Sequence, residues 1–348
     1  MGRRLGCFPV LSGGIWRVLR SPRCFCSASP CSPRRRSPSQ LPLMELLALC
    51  WVLLAGTLLS TSAASSALHD GDLDPIEIKM NMAPDSFDDQ YKDCENQMKT
   101  KIQEVNRTEI KNNKDYAKTW KKAAAEWQKI CQNPSNCPKL NMDLAIAVVA
   151  YSAADGMCEK FNADTRQGGL SHQHYMQSYH FKTLHFLLTQ ALQALRKSNP
   201  DKCYSVYRGV RGIRFTAQKG KTVRFGQFTS ASTDENAAKQ FGKDTFFEIK
   251  TCHGVSINPL SFFPSEEEVL IPPFEVFKVT KFSIVKGRSE IKLLSKETKS
   301  NYNCELLKPQ SGQWGRGHQE VGLGLSRGPP LPPLPCPKRA RGAWGHRG

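Results

Sequence analysis

Near Cys203 the texture of this chain changes, and that change limits its fold more than any other feature. Before it, apolar residues recur at three- and four-residue steps; after it come short β-branched and aromatic runs parted by Gly, Asn, Pro and Lys. Helices first and strands afterwards is the α+β pattern, a mainly helical N-terminal half followed by a β-rich half in one domain of about 240 residues.

The helical half reads in order. Ile76-Glu77-Ile78-Lys79-Met80 alternates like an edge strand. Ser86 followed by Asp89 resembles a capping box, which predicts a helix from there to about Val105. From Lys114 to Gln132, Tyr116, Trp120, Ala123, Trp127 and Ile130 mark one face of an amphipathic helix with Lys between them. The two Trp read as core. Asn141–Ala153 is apolar throughout and predicts a buried helix, and Tyr175–Lys197 is a long helical stretch closed by Ser198-Asn199-Pro200. His180 and His185 lie on it without a second ligand type at zinc spacing, so they read as structural. Beyond Cys203, strands are expected at Cys203–Tyr207, Thr222–Thr229, Thr245–Thr251, Glu268–Ile271, Glu275–Val285 and Glu290–Leu294. A short helix, Thr233–Phe241, is capped by Thr233 or Asp234.

The ends are different. Residues 1–43 hold eight Arg with no Lys and no acid and read as an unstructured extension; residues 309–348 are rich in Gly, Pro and Arg and read as a disordered tail. Met44–Ala63 has a short apolar run followed by small residues, the pattern of a signal peptide, and residues 64–308 remain as the folded domain. Of the net charge of +18, only +6 belongs to residues 64–308, where 35 Lys and Arg mix with 29 Asp and Glu. With no basic stripe interleaved with aromatics, nucleic acid is not expected as a partner. A secreted, extracellular product is expected, with the endoplasmic reticulum lumen or cell surface as alternatives.

Secretion makes the cysteines legible. Residues 64–308 hold seven, Cys94, Cys131, Cys137, Cys158, Cys203, Cys252 and Cys304, none at C-x-x-C spacing, so disulfides rather than metal are expected and one thiol must be free or paired outside the domain. Asn106-Arg107-Thr108 is a glycosylation sequon.

Three places in the β-rich half carry residues that packing does not require. Tyr207-Arg208-Gly209 offers a guanidinium beside a Gly that permits close approach. Phe228-Thr229-Ser230-Ala231-Ser232 is a hydroxyl cluster before a helix start. Glu266-Glu267-Glu268 precedes the apolar run Val269-Leu270-Ile271; in an extended chain, alternation would put Glu266 and Glu268 on one face and Glu267 on the other. An Arg suits phosphate, a hydroxyl suits a ribose, and paired carboxylates suit a developing cation.

Taken in order, Tyr-Arg-Gly, Phe-x-Ser-x-Ser and Glu-x-Glu-Val-Leu-Ile-Pro-Pro resemble the R-S-E signature of the vertebrate arginine-specific ecto mono-ADP-ribosyltransferases. The resemblance extends to Ser86–Tyr91, Phe181–Phe186, Arg224–Phe228 and Tyr302-Asn303-Cys304, and spans about residues 75–308. It implies an ADP-ribosyltransferase fold and transfer of ADP-ribose from NAD, as co-substrate and without metal, to arginine side chains of proteins or to small guanidines. By motif position Glu268 would face the ribose cation, Glu266 would orient and deprotonate the acceptor guanidinium, Arg208 with Gly209 would hold the NAD phosphates, and Ser230 would position the nicotinamide ribose. Ser232 is the less favoured hydroxyl and Glu267 dispensable. The loop from Ser256 to Ser265, with Phe262 and Phe263, resembles the family's acceptor loop. The resemblance also implies Cys94–Cys304 and Cys203–Cys252 disulfides, with Cys131–Cys137 a further possibility. No apolar tail for a GPI anchor is evident after Cys304. Two other readings use the same fold: an NAD glycohydrolase with water as acceptor, and a catalytically silent binding protein.

Overall fold

A computed structural model describes residues 74–135, 137–309 and Cys336; the expected extension and signal peptide, and all of the expected tail except Pro309 and Cys336, lie outside the described residues. The chain opens with β1 (Ile76–Lys79), then runs through six helices: α1 (Glu95–Asn112), α2 (Lys114–Ile130), α3 (Met142–Tyr151), α4 (Met157–Gln167), α5 (His172–Ser178) and α6 (Lys182–Lys197). Strands follow: β2 (Tyr204–Val210), β3 (Ile213–Thr216), β4 (Thr222–Val223) and β5 (Thr229–Ser232), then α7 (Glu235–Gln240). Last come β6 (Thr245–Thr251), β7 (Val255–Ser256), β8 (Glu268–Ile271), β9 (Glu275–Val285) and β10 (Arg288–Thr298). The α+β order is as the sequence predicts.

Polar side chains start several helices: Asn113 accepts from the Tyr116 N–H at the head of α2, Asn141 from Asp143 for α3, Ser171 from His174 for α5 and Asp234 from Asn236 for α7. α3 is buried continuously from Ala145 to Tyr151, as a helix apolar on all sides must be. The stretch Tyr175–Lys197 is two helices rather than one, broken at Tyr179–Phe181. The break is held by Glu109 of α1, whose carboxylate accepts from the Lys182 and Thr183 N–H groups at 2.8 and 3.0 Å and so caps α6 from outside its own segment.

The expected helix from Ser86 to Val105 is absent before Glu95. Ser86 donates instead to the Gly226 carbonyl, Asp88 binds Arg224, and Asp89 accepts from the Tyr91 and Glu305 N–H groups. Long-range partners have taken the Ser86 hydroxyl and one oxygen of Asp89, the two side chains that the capping box would use. His185 is buried in this region, donating from Nε2 to the Phe87 carbonyl at 3.2 Å and accepting from Tyr91 Oη at 2.8 Å; burial pushes its pKa down to about 3. It is therefore neutral and structural, as the sequence indicates.

Eight strands form one sheet in the order β4-β9-β10-β6-β2-β5-β8-β7, antiparallel except for the β10–β6 pair, while β1 pairs in parallel with β3. One core joins the helices to Phe228, Val255, Ile257, Leu260 and Leu270; a second gathers Ile78, Phe215, Val206, Phe247, Val269 and Phe277. The sheet is thus buried on both sides around its centre. Disulfides join Cys94 to Cys304, Cys131 to Cys137 and Cys203 to Cys252, and the seventh domain cysteine, Cys158, is bonded to Cys336. Cys336 falls in the stretch that composition alone reads as a disordered tail, yet it is buried in the helical core beside Asn162.

Candidate active site

The sheet order creates the site. β2, β5 and β8 are consecutive neighbours, and their register sets Tyr207 opposite Ser232 and Ser232 opposite Glu268. Arg208, Ser230 and Glu268, scattered in sequence, therefore come from three adjacent strands. Arg208 shares strand parity with Val206 and Val210, so it occupies a position that alternation would give to an apolar residue. A buried guanidinium there needs partners: its Nη1 donates to the Ser230 carbonyl at 2.6 Å.

A narrow cleft with about 330 Å³ of empty space is lined by Arg208, Gly209, Ser230, Ser232, Glu266 and Glu268, walled by Tyr207 and Phe241. Glu266 and Glu268 are 7% and 2% exposed, whereas Glu267 is exposed and accepts from Thr233 Oγ1. The carboxylate pair is as the sequence suggests, but its cause is different. Residues 266–268 are not an extended run: Pro264–Glu266 is a 3-10 turn, Glu267 adopts a left-handed conformation at φ 46°, and only Glu268 begins the strand. That single left-handed residue turns Glu267 outward and leaves its neighbours facing one cleft.

Residues that the sequence did not mark as supports hold these groups. Ser232 Oγ donates to the Glu266 carbonyl at 2.6 Å and accepts from the Asp234 N–H at 2.9 Å, tying the acidic turn to the end of β5. Asn258 Oδ1 accepts from the Glu268 N–H at 2.6 Å, and Ser261 Oγ donates to Glu268 Oε2 at 3.4 Å. Tyr151, at the end of α3, donates to the Phe228 carbonyl at 3.0 Å just before Ser230 and accepts from Asn162. Its pKa is raised by burial, so it is a neutral donor. Tyr151 and Ser261 carry no motif of their own, Ser232 was legible only as the second hydroxyl of its motif, and Asn258, beside Pro259 at a helical turn, had a local signal as a turn residue.

Burial pushes the Glu268 carboxyl above the usual range, against the opposing pull of the Ser230 and Ser261 hydroxyls and the Arg208 charge. Burial likewise lowers Arg208, with Tyr151 and Glu268 acting in the opposite sense. Gly209 also lines the cleft, but its lack of a side chain serves the protein: a Cβ there would lie 2.4 Å from the Ala238 and Gly242 carbonyl oxygens, so it lets α7 sit on β2. Phe262 and Phe263 are half-buried on the loop before the acidic turn and do not line the cleft; Phe262 packs on the helical core and its N–H donates to Ser152 Oγ at 3.1 Å. Asn106 sits mid-helix on α1, half-buried. Among the described residues no group of three or more His, Cys, Asp or Glu is placed to hold a metal, and no helix is long and apolar enough to cross a membrane.

This arrangement of a helical half, a strand-by-strand Arg, Ser and Glu, and an acidic turn is the one that the resemblance of the motifs implies, and similarity to known proteins identifies the class. The sequence model of the family described as NAD:arginine ADP-ribosyltransferase matches residues 80–301, and the chain belongs to that family. NAD(P)(+)--arginine ADP-ribosyltransferase 1 of Gallus gallus is 62% identical over 304 residues, covering 87% of this chain and 97% of that protein. The GPI-linked NAD(P)(+)--arginine ADP-ribosyltransferase 1 of Mus musculus is 43% identical, covering 72% and 80%. Among solved structures, the eukaryotic mono-ADP-ribosyltransferase ART2.2 superposes with a TM-score of 0.58 at 37% identity, over 65% of this chain and 98% of that one. Variants of ART2.2 have been solved with NADH and with NAD.

The cleft lining offers a buried cation and an orphaned acceptor. Glu268 Oε1 is buried without a hydrogen-bond partner among the described residues, and the buried guanidinium of Arg208 stands close enough to Glu268 to influence its ionisation.

Proposed function

We propose that this protein transfers ADP-ribose from NAD to arginine side chains, releasing nicotinamide. The observation that carries it is the pair of buried carboxylates, Glu266 and Glu268, in one cleft with Arg208 and Ser230. The nicotinamide ring is cationic in NAD and leaves as a neutral molecule, taking the electron pair of the C1–N bond, so no general acid is needed to expel it. What remains is positive charge on the ribose, and Glu268, fixed by Asn258 and Ser261, stabilises it and accepts a hydrogen bond from the 2′-hydroxyl. Arg208 is the residue for the phosphates and Ser230 for the nicotinamide ribose.

Arginine is protonated at ordinary pH and is not a nucleophile in that state. Glu266 orients the guanidinium and takes its proton as a guanidino nitrogen bonds to the ribose C1 that has lost nicotinamide. Phe262 and Phe263 supply the apolar wall along which the acceptor's methylene chain lies. Four disulfides suit an oxidising compartment, and some relatives are named as ecto- or GPI-linked enzymes, which together support action outside the cytosol after passage through the secretory pathway.

The test follows nicotinamide release and ADP-ribosyl-agmatine formation together. Release that depends on agmatine and matches product formation is expected. Release without transfer would make water the acceptor, and neither reaction would leave a silent protein on this fold.

A further inference from the structure

α2 carries a charge pattern that neither core packing nor the cleft requires. Lys114, Lys118 and Lys122 recur at four-residue steps, which stacks them in one row along the helix, and Lys121 stands next to that row. All four are exposed, and none is ion-paired to a carboxylate among the described residues. Like charges at this spacing weaken a helix rather than support it. Of the acids nearby, Glu126 pairs with Lys129 at 2.7 Å and Asp155 accepts from Thr119 Oγ1 at 2.7 Å, while Asp115 is exposed in the first turn of α2.

The row ends at the loop that leads into the acidic turn. Lys122 Nζ lies over the Phe262 ring, 4.8 Å from its centroid, and Phe262 directly follows Ser261, the donor to Glu268. An acceptor protein whose arginine reaches Glu266 must set the surface around that arginine against this loop and the adjoining lysines. The cleft and its rim therefore have opposite charge: carboxylates inside for the guanidinium, ammonium groups outside for its surroundings.

We propose that the lysine row of α2 docks acidic acceptor proteins, so that arginines flanked by Asp or Glu are the preferred targets. This rests on the reading that the cleft transfers ADP-ribose to arginine. Rim charges of this kind act on encounter and partner choice, and salt screens them because the interaction is solvent-exposed. A lone guanidine carries no acidic flank, so it gains nothing from the row.

The experiment compares the full chain with a Lys118→Glu/Lys121→Glu variant, and with Lys118→Gln/Lys121→Gln as a milder control. The acceptors are agmatine and two peptides with one Arg each, flanked by Glu or by Ser, at low and high salt. Wild type should use the Glu-flanked peptide about tenfold better than the Ser-flanked one, through KM, and high salt should erase the difference. The Glu variant should lose that preference, the Gln variant part of it, and both should keep wild-type kcat/KM for agmatine, which also shows that they are folded. Equal use of the two peptides by wild type, or a preference that survives in the Glu variant, overturns the proposal. So does binding of the row to vesicles containing phosphatidylserine with no peptide preference, which would assign the row to a membrane surface. Failure of the underlying reading is distinct, since wild type would then not modify agmatine at all.

Discussion

Ser232 donates its hydroxyl proton to the main-chain carbonyl of Glu266 at 2.6 Å, across the junction between the end of β5 and the acidic turn. The carboxylate assigned to the acceptor is thus aimed by a residue on a neighbouring strand, and the same hydroxyl accepts from Asp234 at the head of α7. Ser232→Ala should loosen the turn without touching the ribose-facing groups. Transfer to agmatine is expected to fall by about 10- to 100-fold while nicotinamide release to water changes little, because small misplacements of a reacting group carry penalties of that order. Ser232→Thr, which keeps the hydroxyl, should restore most of the loss, whereas a merely structural defect would lower both reactions together.

The two carboxylates should separate by reaction. Glu266→Gln keeps volume and hydrogen bonding but cannot take the guanidinium proton, so NAD hydrolysis should persist while ADP-ribosyl-agmatine formation drops by at least about 10²-fold. An equal loss of both would show that Glu266 acts on the donor as well.

Glu268 titrates from a raised pKa, with burial as the main cause, and the proposed mechanism needs its ionised form. The acid limb of kcat/KM should therefore lie above the ordinary Glu value of 4.5. The same shift acts on stability with a definite sign. The folded state binds this proton more tightly than the unfolded chain does, so stability falls as pH rises through the interval between the two pKa values. Above both pKa values the full penalty is present, and there Glu268→Gln should lower catalysis by about 10²- to 10³-fold yet raise Tm by roughly 2–4 °C. A variant that lost Tm at pH 8 and gained it at pH 4 would reverse this assignment.

Much of this was readable from residue types, and the failures share a physical cause. The switch from helical to strand-like texture gave the α+β order, and the R-S-E residues fall on β2, β5 and β8. The alternation argument for Glu266 and Glu268 reached the right pair through the wrong conformation, because a left-handed residue at Glu267 imitates the outcome of a pleat. The Ser86 capping box failed because Asp88 and Asp89 are bound by groups more than a hundred residues away. Ser232, Asn258 and Tyr151 were not legible as supports since their partners are main-chain atoms, which sequence does not distinguish. Cys336 lies in Pro-rich sequence whose composition carries no trace of a covalent partner at Cys158.

Arg224 and Asp88 form an ion pair at 2.5 Å with side chains 1% and 0% exposed. The guanidinium also donates to the Met82, Ala83 and Lys299 carbonyls, and the carboxylate accepts from the Asn301 and Tyr302 N–H groups. Chain segments from both ends of the domain meet on this pair. Arg224→Met would leave a buried carboxylate without its countercharge, at a cost of about 3–5 kcal/mol. Thermal unfolding should then begin roughly 6–20 °C lower. The double variant Arg224→Met/Asp88→Leu should recover a substantial part of that loss, because the uncompensated charge is gone.

Gly209 joins the stability of the sheet to the cleft. Adding one methyl group at this position places a carbon 2.4 Å from two carbonyl oxygens, Ala238 O at the core-facing part of α7 and Gly242 O just after it. Both are main-chain atoms, so relief requires α7 to move away from β2 as a unit. Phe241, next to Gly242, and Ala238 line the same cleft as Arg208, so the movement opens the part of the site that we assign to the NAD phosphates. Gly209→Ala should therefore raise KM for NAD by about tenfold or more while leaving the ratio of transfer to hydrolysis unchanged, since the acidic turn is held from β5 rather than from β2. A shift in that ratio would mean that α7 also positions Glu266, through Asp234 and the Ser232 hydroxyl that it shares.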